Sequence, residues 1–222
     1  MKDSGNIIRN QAKIIIKTQR AIIIALSSLS EVRDNIMGSH LKRIQEYSIL
    51  LTQLLRCSNK RINDEYIRNI YDASVLHDIG KAGIEDIILF KKGSLTKQEF
   101  NTIKKHPLLG YNLFKSVAKE LGTNMLIKLA LEIILNHHEN WNGSGYPRGL
   151  SKRKIPLSAR IVMIGDCYDA LTSERPYKKA FSHNKAISIM KQESSYKYDP
   201  KIFRIFLENE DEFRKIREEF IE

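Results

Sequence analysis

Cysteine is scarce in this chain of 222 residues, which contains only two of them, Cys57 and Cys167. A small secreted fold held together by disulfides needs several patterned pairs, and these two residues stand at no motif spacing. We therefore expect no disulfide framework, and we expect a protein of a reducing compartment, the cytoplasm.

Long apolar runs are also missing. The longest one in the N-terminal region extends only from Ala21 to Leu26, far short of the ~20 residues that a membrane-spanning helix needs. Basic residues at Lys13, Lys17 and Arg20 interrupt the early isoleucines, so the pattern of a signal peptide is absent as well. The sequence predicts no membrane span.

Negative charge is in the minority. There are 26 Asp and Glu residues against 37 Lys and Arg residues, which gives a formal net charge of +11. The excess favours an anionic partner, but the basic residues come in short scattered groups without a basic arm or interleaved aromatic residues, which argues against a nucleic-acid polymer. A small phosphorylated ligand steered into a positive cleft accounts for the charge equally well. A solvated lysine-rich surface accounts for many of the lysines.

The apolar residues that are present recur at helical spacing, and no stretch alternates like a strand. We therefore expect an all-α protein. Thr96 followed by Glu99 forms a capping box, and Pro107 suits the first turn of a helix. Residues 124–138 are apolar almost all round, which predicts a buried central helix. Helices are predicted over 6–34, 40–57, 64–79, 85–90, from 96 to a break at 106, from 107 onward, and over 124–138, 155–172, 182–193 and 199–221.

The first of these helices, 6–34, carries a heptad pattern. Its apolar residues recur every seven positions, at Ile8, Ile15, Ile22 and Leu29, which is typical of a coiled-coil seam. The companion column is poor in apolar residues. Two interpretations remain open: the helix pairs with a second copy in a homodimer and carries a signal, or its isoleucines pack on the domain behind it. We favour the first.

Residues 140–156 form the one long segment without a helical pattern, and its three glycines and Pro147 exclude regular structure. Most loops of this kind are connections. Because this one follows a His-His pair, it is also a candidate wall of a binding site, with Trp141 or Tyr146 offering a ring for stacking on a base.

Histidine is rare and unevenly placed. His77-Asp78 puts a neutral nitrogen donor beside a carboxylate that can bridge two cations, and Gly80-Lys81 follows with a turn and a cation for an anionic ligand. A His-Asp pair alone is weak evidence. Five histidines and two aspartates on separate helical segments, however, are typical of metal ligands facing inward in a helical bundle. They are His40, His77, Asp78, His106, His137, His138 and Asp166.

Several motifs in order along the chain resemble the HD-GYP domain family. They are His77-Asp78-Ile79-Gly80-Lys81, His106, His137-His138-Glu139, Gly143-Ser144-Gly145-Tyr146-Pro147, Ile155-Pro156-Leu157, Asp169-Ala170-Leu171-Thr172-Ser173 and Arg175-Pro176-Tyr177-Lys178. The match covers about residues 31–206. Members are metal-dependent phosphodiesterases that hydrolyse cyclic di-GMP to the linear dinucleotide pGpG or on to GMP. The resemblance implies an HD-type helical bundle over residues 36–222, preceded by a linker or signalling helix over 1–35.

Carried over position by position, the resemblance implies two divalent ions, iron or manganese. One ion would be held by His40, His77, Asp78 and Asp166. The other would be held by Asp78, His106, His137 and His138. Asp78 would bridge them, and the ions would activate a bridging water or hydroxide and clamp the phosphate oxygens. Lys81 matches a catalytic and phosphate-binding position, and Tyr146, Arg175 and Lys178 match further substrate-binding positions.

Asp169 is expected to orient a ligand or to serve in helix packing, His183 to lie on the surface, and Cys167 to point away from the site. Ile36 stands where some members have a glutamate for a third ion, so two ions are expected here. Asn142 replaces the family's usual aspartate. Two alternatives remain: a receptor that binds cyclic di-GMP without hydrolysing it, and a hydrolase of another nucleotide.

Overall fold

A computed structural model describes residues 2–32, 39–174 and 179–220, and these ranges contain helices and loops without a strand. The predicted all-α class is confirmed. The helices are α1 Lys2–Val32, α2 Ser39–Arg56, α3 Asp64–Ser74, α4 Asp86–Leu89, α5 Lys97–Ile103, α6 His106–Leu121, α7 Met125–Asn136, α8 Leu157–Thr172, α9 His183–Glu193, α10 Pro200–Glu208 and α11 Glu210–Glu219. Two short 3-10 helices span Ile79–Gly83 and Lys152–Lys154.

The core lies between α2, α3, α7 and α8, with α10 packed against α2 and α8 and α11 packed against α2. One apolar stripe of each central helix is fully buried, as at Ile44, Ile70, Ile133 and Ile161. Burying a side chain of this size contributes about 1.5–3 kcal/mol each. The helix predicted to be central, α7, is confirmed as part of this core.

Local signals set several helix ends. The predicted capping box at the start of α5 is present in full, because the Thr96 side chain accepts from the Glu99 amide and the Glu99 carboxylate accepts from the Thr96 amide. The Asn124 side chain caps α7 by accepting from the Ile127 amide. Pro107 lies in the first turn of α6, as predicted, where a missing N–H costs nothing.

The third helix ends five residues before its predicted end. Instead of continuing to 79, the chain tightens after Ser74 into turns in which each amide bonds to the carbonyl three residues before it, as for Leu76 to Ala73 and Ile79 to Leu76. In such turns side chains three residues apart eclipse each other. Asp78 and Lys81 are brought together in this way, with 2.8 Å between Oδ2 and Nζ.

Close approach of two backbone segments requires glycine in this turn. A Cβ placed on Gly80 would lie 1.9 Å from the carbonyl oxygen of His106, and Gly110 faces it from α6. The segment that carries Asp78 is therefore pressed directly against the start of α6. A regular α-helix through 79 would not give this contact.

The long helix α1 packs against the 3-10 helix Ile79–Gly83 through its C-terminal part, where Ser27 and Ser30 are buried. Its heptad residues face outward: Ile15, Ile22 and Leu29 are each more than half exposed. No helix in the described ranges is long and apolar enough to cross a membrane.

The glycine contact makes a prediction about stability. Gly80→Ala should lower the free energy of unfolding by roughly 1–3 kcal/mol, because its new methyl group meets rigid backbone. Gly83→Ala is the matched control, since the nearest atom there is the flexible Leu109 side chain at 3.2 Å. Urea unfolding followed by circular dichroism, with chelator present, measures both. Equal effects would show that the close approach at Gly80 does not constrain the fold.

Candidate metal centre

The structure gathers the seven predicted metal ligands into two adjoining clusters. Within each cluster the donor atoms all lie within 4.8 Å of one another. One cluster consists of His40, His77 and Asp166, and the other consists of Asp78, His106, His137 and His138. They come from α2, the turn after α3, α6, the end of α7 and α8, so the site lies where five separate segments meet.

Backbone carbonyls fix how the histidine rings are protonated. In His77, Nδ1 lies 2.9 Å from the carbonyl oxygen of Ser74. In His106, the same atom lies 2.8 Å from the carbonyl oxygen of Ile103, and in His137 it lies 3.0 Å from that of Ile133. A carbonyl only accepts, so each Nδ1 donates and carries the proton. A ring that carries its proton on Nδ1 keeps a lone pair on Nε2, which is the arrangement found in metal-binding histidines.

These lone pairs converge on one another and on a carboxylate. The Nε2 atoms of His106 and His137 are 3.3 Å apart, and they lie 3.1 Å and 3.5 Å from Oδ1 of Asp78. Burial lowers the pKa of His137 and, more strongly, the pKa of His138, which keeps these rings neutral. Acceptors packed this closely repel each other unless a cation lies between them. The donor set therefore fits a metal ion.

Asp78 stands between the two clusters. Its Oδ1 faces His106 and His137, whereas its Oδ2 lies 3.4 Å from Nε2 of His77 in the other cluster. Burial raises the pKa of Asp78, but nearby positive charge, led by the Lys81 ammonium, outweighs burial and holds this pKa well below its usual value. The carboxylate is therefore ionised and presents one oxygen to each cluster.

A buried ion pair orients His40. Nδ1 of His40 donates to Oδ2 of Asp169 at 2.7 Å, and the Arg43 guanidinium donates to both oxygens of the same carboxylate. Burial raises the pKa of Asp169, but His40 and Arg43 more than offset this and hold it below its usual value. The expected role of Asp169 as an orienting carboxylate agrees with this geometry. The sequence did not point to Arg43, which also donates to the Phe220 carbonyl and to Ser173.

Glu139 ties the glycine-rich loop to the site, a role that the sequence analysis missed. The buried carboxylate accepts from the amides of Arg148 and Leu150 at 2.7 Å and 2.9 Å. Gly145 packs so tightly against the backbone of His138 and Glu139 that a Cβ would come within 2.5 Å of it. The signal available in the sequence was an acidic residue directly after the two histidines.

A cavity of about 450 Å³ opens over both clusters. The Tyr146 ring borders it and stacks on His138, with 4.7 Å between ring centroids and 25° between planes. Trp141 is not part of the lining, and its ring lies 5.9 Å from the Arg160 guanidinium. Lys104, Cys167 and Lys197 are among the lining residues that had no predicted role.

One minor prediction is wrong. Cys167 was expected to point away from the site, yet it borders the cavity beside Asp166 because α8 lies along the cavity wall. His183, expected to lie on the surface, is partly exposed, and its Nδ1 lies 2.8 Å from the Tyr168 hydroxyl. The positions of Arg175, Lys178 and Ile36 lie outside the described residues.

Among curated proteins, the chain is similar to several bacterial phosphodiesterases. A "Cyclic di-GMP phosphodiesterase" of Vibrio cholerae serotype O1 is 40% identical over 99% of this chain and 45% of its own length. A protein of the same name from Thermotoga maritima is 36% identical over 88% of the chain and 50% of its own length. A "3'3'-cGAMP-specific phosphodiesterase 2" of Vibrio cholerae is 33% identical over 90% of the chain and 37% of its own length. The chain thus spans about half the length of these relatives, or less.

Among solved structures, the chain resembles "Bd1817, a HDG"Y"P protein from Bdellovibrio bacteriovorus". The TM-score is 0.56 at 21% identity, over 78% of this chain and 51% of that one, which supports the fold. The family model described as "HD domain" matches residues 26–202, most of the chain. The resemblance read from the motifs is confirmed, and the chain belongs to the HD domain family.

Proposed function

We propose that this chain is a metal-dependent phosphodiesterase that hydrolyses cyclic di-GMP. The observation that carries the proposal is the meeting of two donor clusters at one carboxylate, Asp78, on the wall of a cavity that lysines also line. The relatives named for cyclic di-GMP support the choice of substrate. Because they are about twice as long as this chain, the activity of the chain itself belongs to the proposal.

The ligands are assigned to two ions, iron or manganese. One ion is assigned to His40, His77, Asp78 and Asp166. The other is assigned to Asp78, His106, His137 and His138. A metal pair held there would lower the pKa of a bound water and neutralise charge on the phosphate oxygens, which a phosphodiester needs because its own charge repels hydroxide. The carbonyl-anchored rings hold the donor atoms in place without rearrangement.

Other side chains hold the substrate. Lys81 already lies beside Asp78, so its ammonium is placed to bind a phosphate oxygen at the same point. Tyr146 stays in place through its stacking on His138 and offers its remaining surface to the nucleotide. Arg175 and Lys178, which follow α8 in sequence, are assigned to phosphate contacts on the strength of the motif. The expected product is pGpG, with GMP after a second cleavage.

Two alternatives are weighed against this assignment. A receptor without hydrolysis is disfavoured, since it would not require all seven donors to converge. Hydrolysis of a different cyclic dinucleotide has a specific observation in its favour, because one relative at 33% identity is named for 3'3'-cGAMP. Both substrates have two phosphodiester groups, so only the bases distinguish them.

The N-terminal helix is assigned to signalling and to a homodimer, as a segment over residues 1–35 separate from the catalytic part over 36–222. Support comes from the exposed seam of Ile15, Ile22 and Leu29. The same helix reaches the site, since the Ser30 hydroxyl donates to the carbonyl oxygen of Asp78 at 3.0 Å. A shift of α1 would therefore change this hydrogen bond and move the backbone of Asp78.

The substrate assignment predicts the outcome of a product assay. Metal-loaded protein should convert cyclic di-GMP to pGpG, and faster than it converts 3'3'-cGAMP or linear dinucleotides. Chromatography of the reaction mixtures measures this. Binding of cyclic di-GMP without any product would show a receptor, and a higher rate with 3'3'-cGAMP would change the substrate.

The bridging assignment predicts metal content. Anaerobically purified wild-type protein should hold two tightly bound ions per chain, and Asp78→Ala should lose most of both together with turnover. Lys81→Ala is the control next to it, and it should keep both ions while catalysis weakens. Elemental analysis after dialysis decides the count. If Asp78→Ala retains two ions, Asp78 does not bridge them. If the wild type holds three ions, the prediction of two per chain is wrong.

The orienting ion pair predicts an effect on one cluster alone. Asp169→Asn should weaken metal affinity at the cluster of His40 by roughly ten- to hundredfold, because His40 loses the carboxylate that fixes its ring. Asp199→Asn is the matched control, since it removes a buried carboxylate paired with Arg160 away from the cavity. Titration with manganese, followed by calorimetry, should show one weakened site in the first variant and none in the second.

A further inference from the structure

Three lysines line the cavity, and two of them are compensated by acids. Nζ of Lys81 lies 2.8 Å from Asp78, and Nζ of Lys197 lies 2.8 Å from Oε2 of Glu193. Lys104 differs, because no carboxylate of the described ranges lies within ion-pair distance of its ammonium. Its positive charge in the cavity wall is therefore uncompensated.

Aromatic rings hold this ammonium in place. Nζ of Lys104 lies 5.1 Å from the ring centroid of Phe100 and 5.2 Å from that of Tyr146. Ring faces attract a cation without cancelling its charge. Since Tyr146 in turn stacks on His138, the ammonium stands two ring contacts away from a donor of the metal centre, at the C-terminal end of α5.

We propose that Lys104 binds the phosphate of a cyclic dinucleotide that is not being cleaved, an inference that rests on the proposed function. A cyclic dinucleotide carries two phosphodiester anions, and only one of them can lie at the metal centre. The second enters the same cavity, where a cation of its own would stabilise it. Lys104 supplies an uncompensated one in the wall of the same cavity, beside the rings of Phe100 and Tyr146.

A purely structural role for Lys104 would have a different consequence. If the lysine only held Tyr146 against α5, its loss would disturb every substrate that reaches the metal centre. A contact with the second phosphate affects only ligands that have one. A substrate with a single phosphodiester, bis(p-nitrophenyl) phosphate, therefore separates the two roles.

The experiment compares Lys104→Met with wild type in two measurements. The first is kcat/KM for bis(p-nitrophenyl) phosphate, and the second is the inhibition constant of cyclic di-GMP against that reaction. We expect the inhibition constant to rise roughly ten- to hundredfold, the usual effect of losing one charge-assisted hydrogen bond, while the reporter reaction changes less than about twofold. Titration calorimetry with cyclic di-GMP on the same proteins should give the same ratio of affinities.

Two variants serve as controls. Lys105→Met removes an equal charge from the neighbouring exposed residue, and it should change neither measurement by more than about twofold, because exposed charges are screened by salt. Lys104→Arg keeps the charge and should restore most of the affinity for cyclic di-GMP.

Equal losses for both ligands would overturn the inference in favour of a structural role, and unchanged affinity for cyclic di-GMP would overturn it outright. The product assay shows separately whether the proposed function fails. In that case the wild type forms no product from cyclic di-GMP, while inhibition by the dinucleotide and its dependence on Lys104 still report on the contact. If cyclic di-GMP neither inhibits nor binds the wild type, both proposals fall.

Discussion

The convergence of lone pairs around Asp78 is the constraint on which the rest of this structure depends. Neutral imidazoles and a carboxylate offer only acceptors to one another, and here they meet at 3.1–3.5 Å. Such a group is costly to bury without a cation. Hydrogen bonds from Nδ1 hold four of the rings in place, to backbone carbonyls for His77, His106 and His137 and to a carboxylate for His40. Metal affinity and folding free energy are linked in a site of this kind.

The irregular parts of the backbone serve this convergence. The tight turns after Ser74 bring Asp78 and Lys81 to one side, and Gly80 allows that turn to touch the first residue of α6. The loop 140–156 is tied back by Glu139, so that Tyr146 covers His138. Regular helices supply the stiff frame, whereas the ligands at 77, 78, 106, 137 and 138 lie at helix ends or in turns. Helix ends direct side chains towards a common point that no single helix face could reach.

The sequence predicted much of this because many of its signals are local. The capping box at Thr96, the proline at the start of α6 and the apolar pattern of α7 depend on neighbours in the chain. The ligand set was also accessible, since histidine and aspartate are rare in apolar segments without a function. The early end of α3 could not be predicted from the sequence. It depends on contact between Gly80 and His106, residues far apart in sequence, and local spacing alone favoured a continued helix.

Long-range contacts account for the other misses in the same way. Arg43 and Asp169 are separated by 126 positions, and nothing near either residue indicates that they pair. Lys104 was one lysine among many until α5 and the glycine-rich loop brought it against Tyr146. Cys167 was expected to point away from the site because of its spacing along α8, and this spacing does not show that Cys167 and the distant Lys197 line one cavity.

Charge balance connects the proposed centre with the basic composition of the chain. In the assigned arrangement two divalent ions meet only two carboxylates, Asp78 and Asp166, because the other ligands are neutral histidines. The loaded centre is therefore positive by itself, and Lys81 and Lys104 add to that charge. The two negative charges of a dinucleotide compensate the positive charge of such a cavity. A neutral ligand would leave that charge buried without a partner, which costs free energy. The net charge of +11 then attracts the anion from solution, and the positive charges of the cavity bind it.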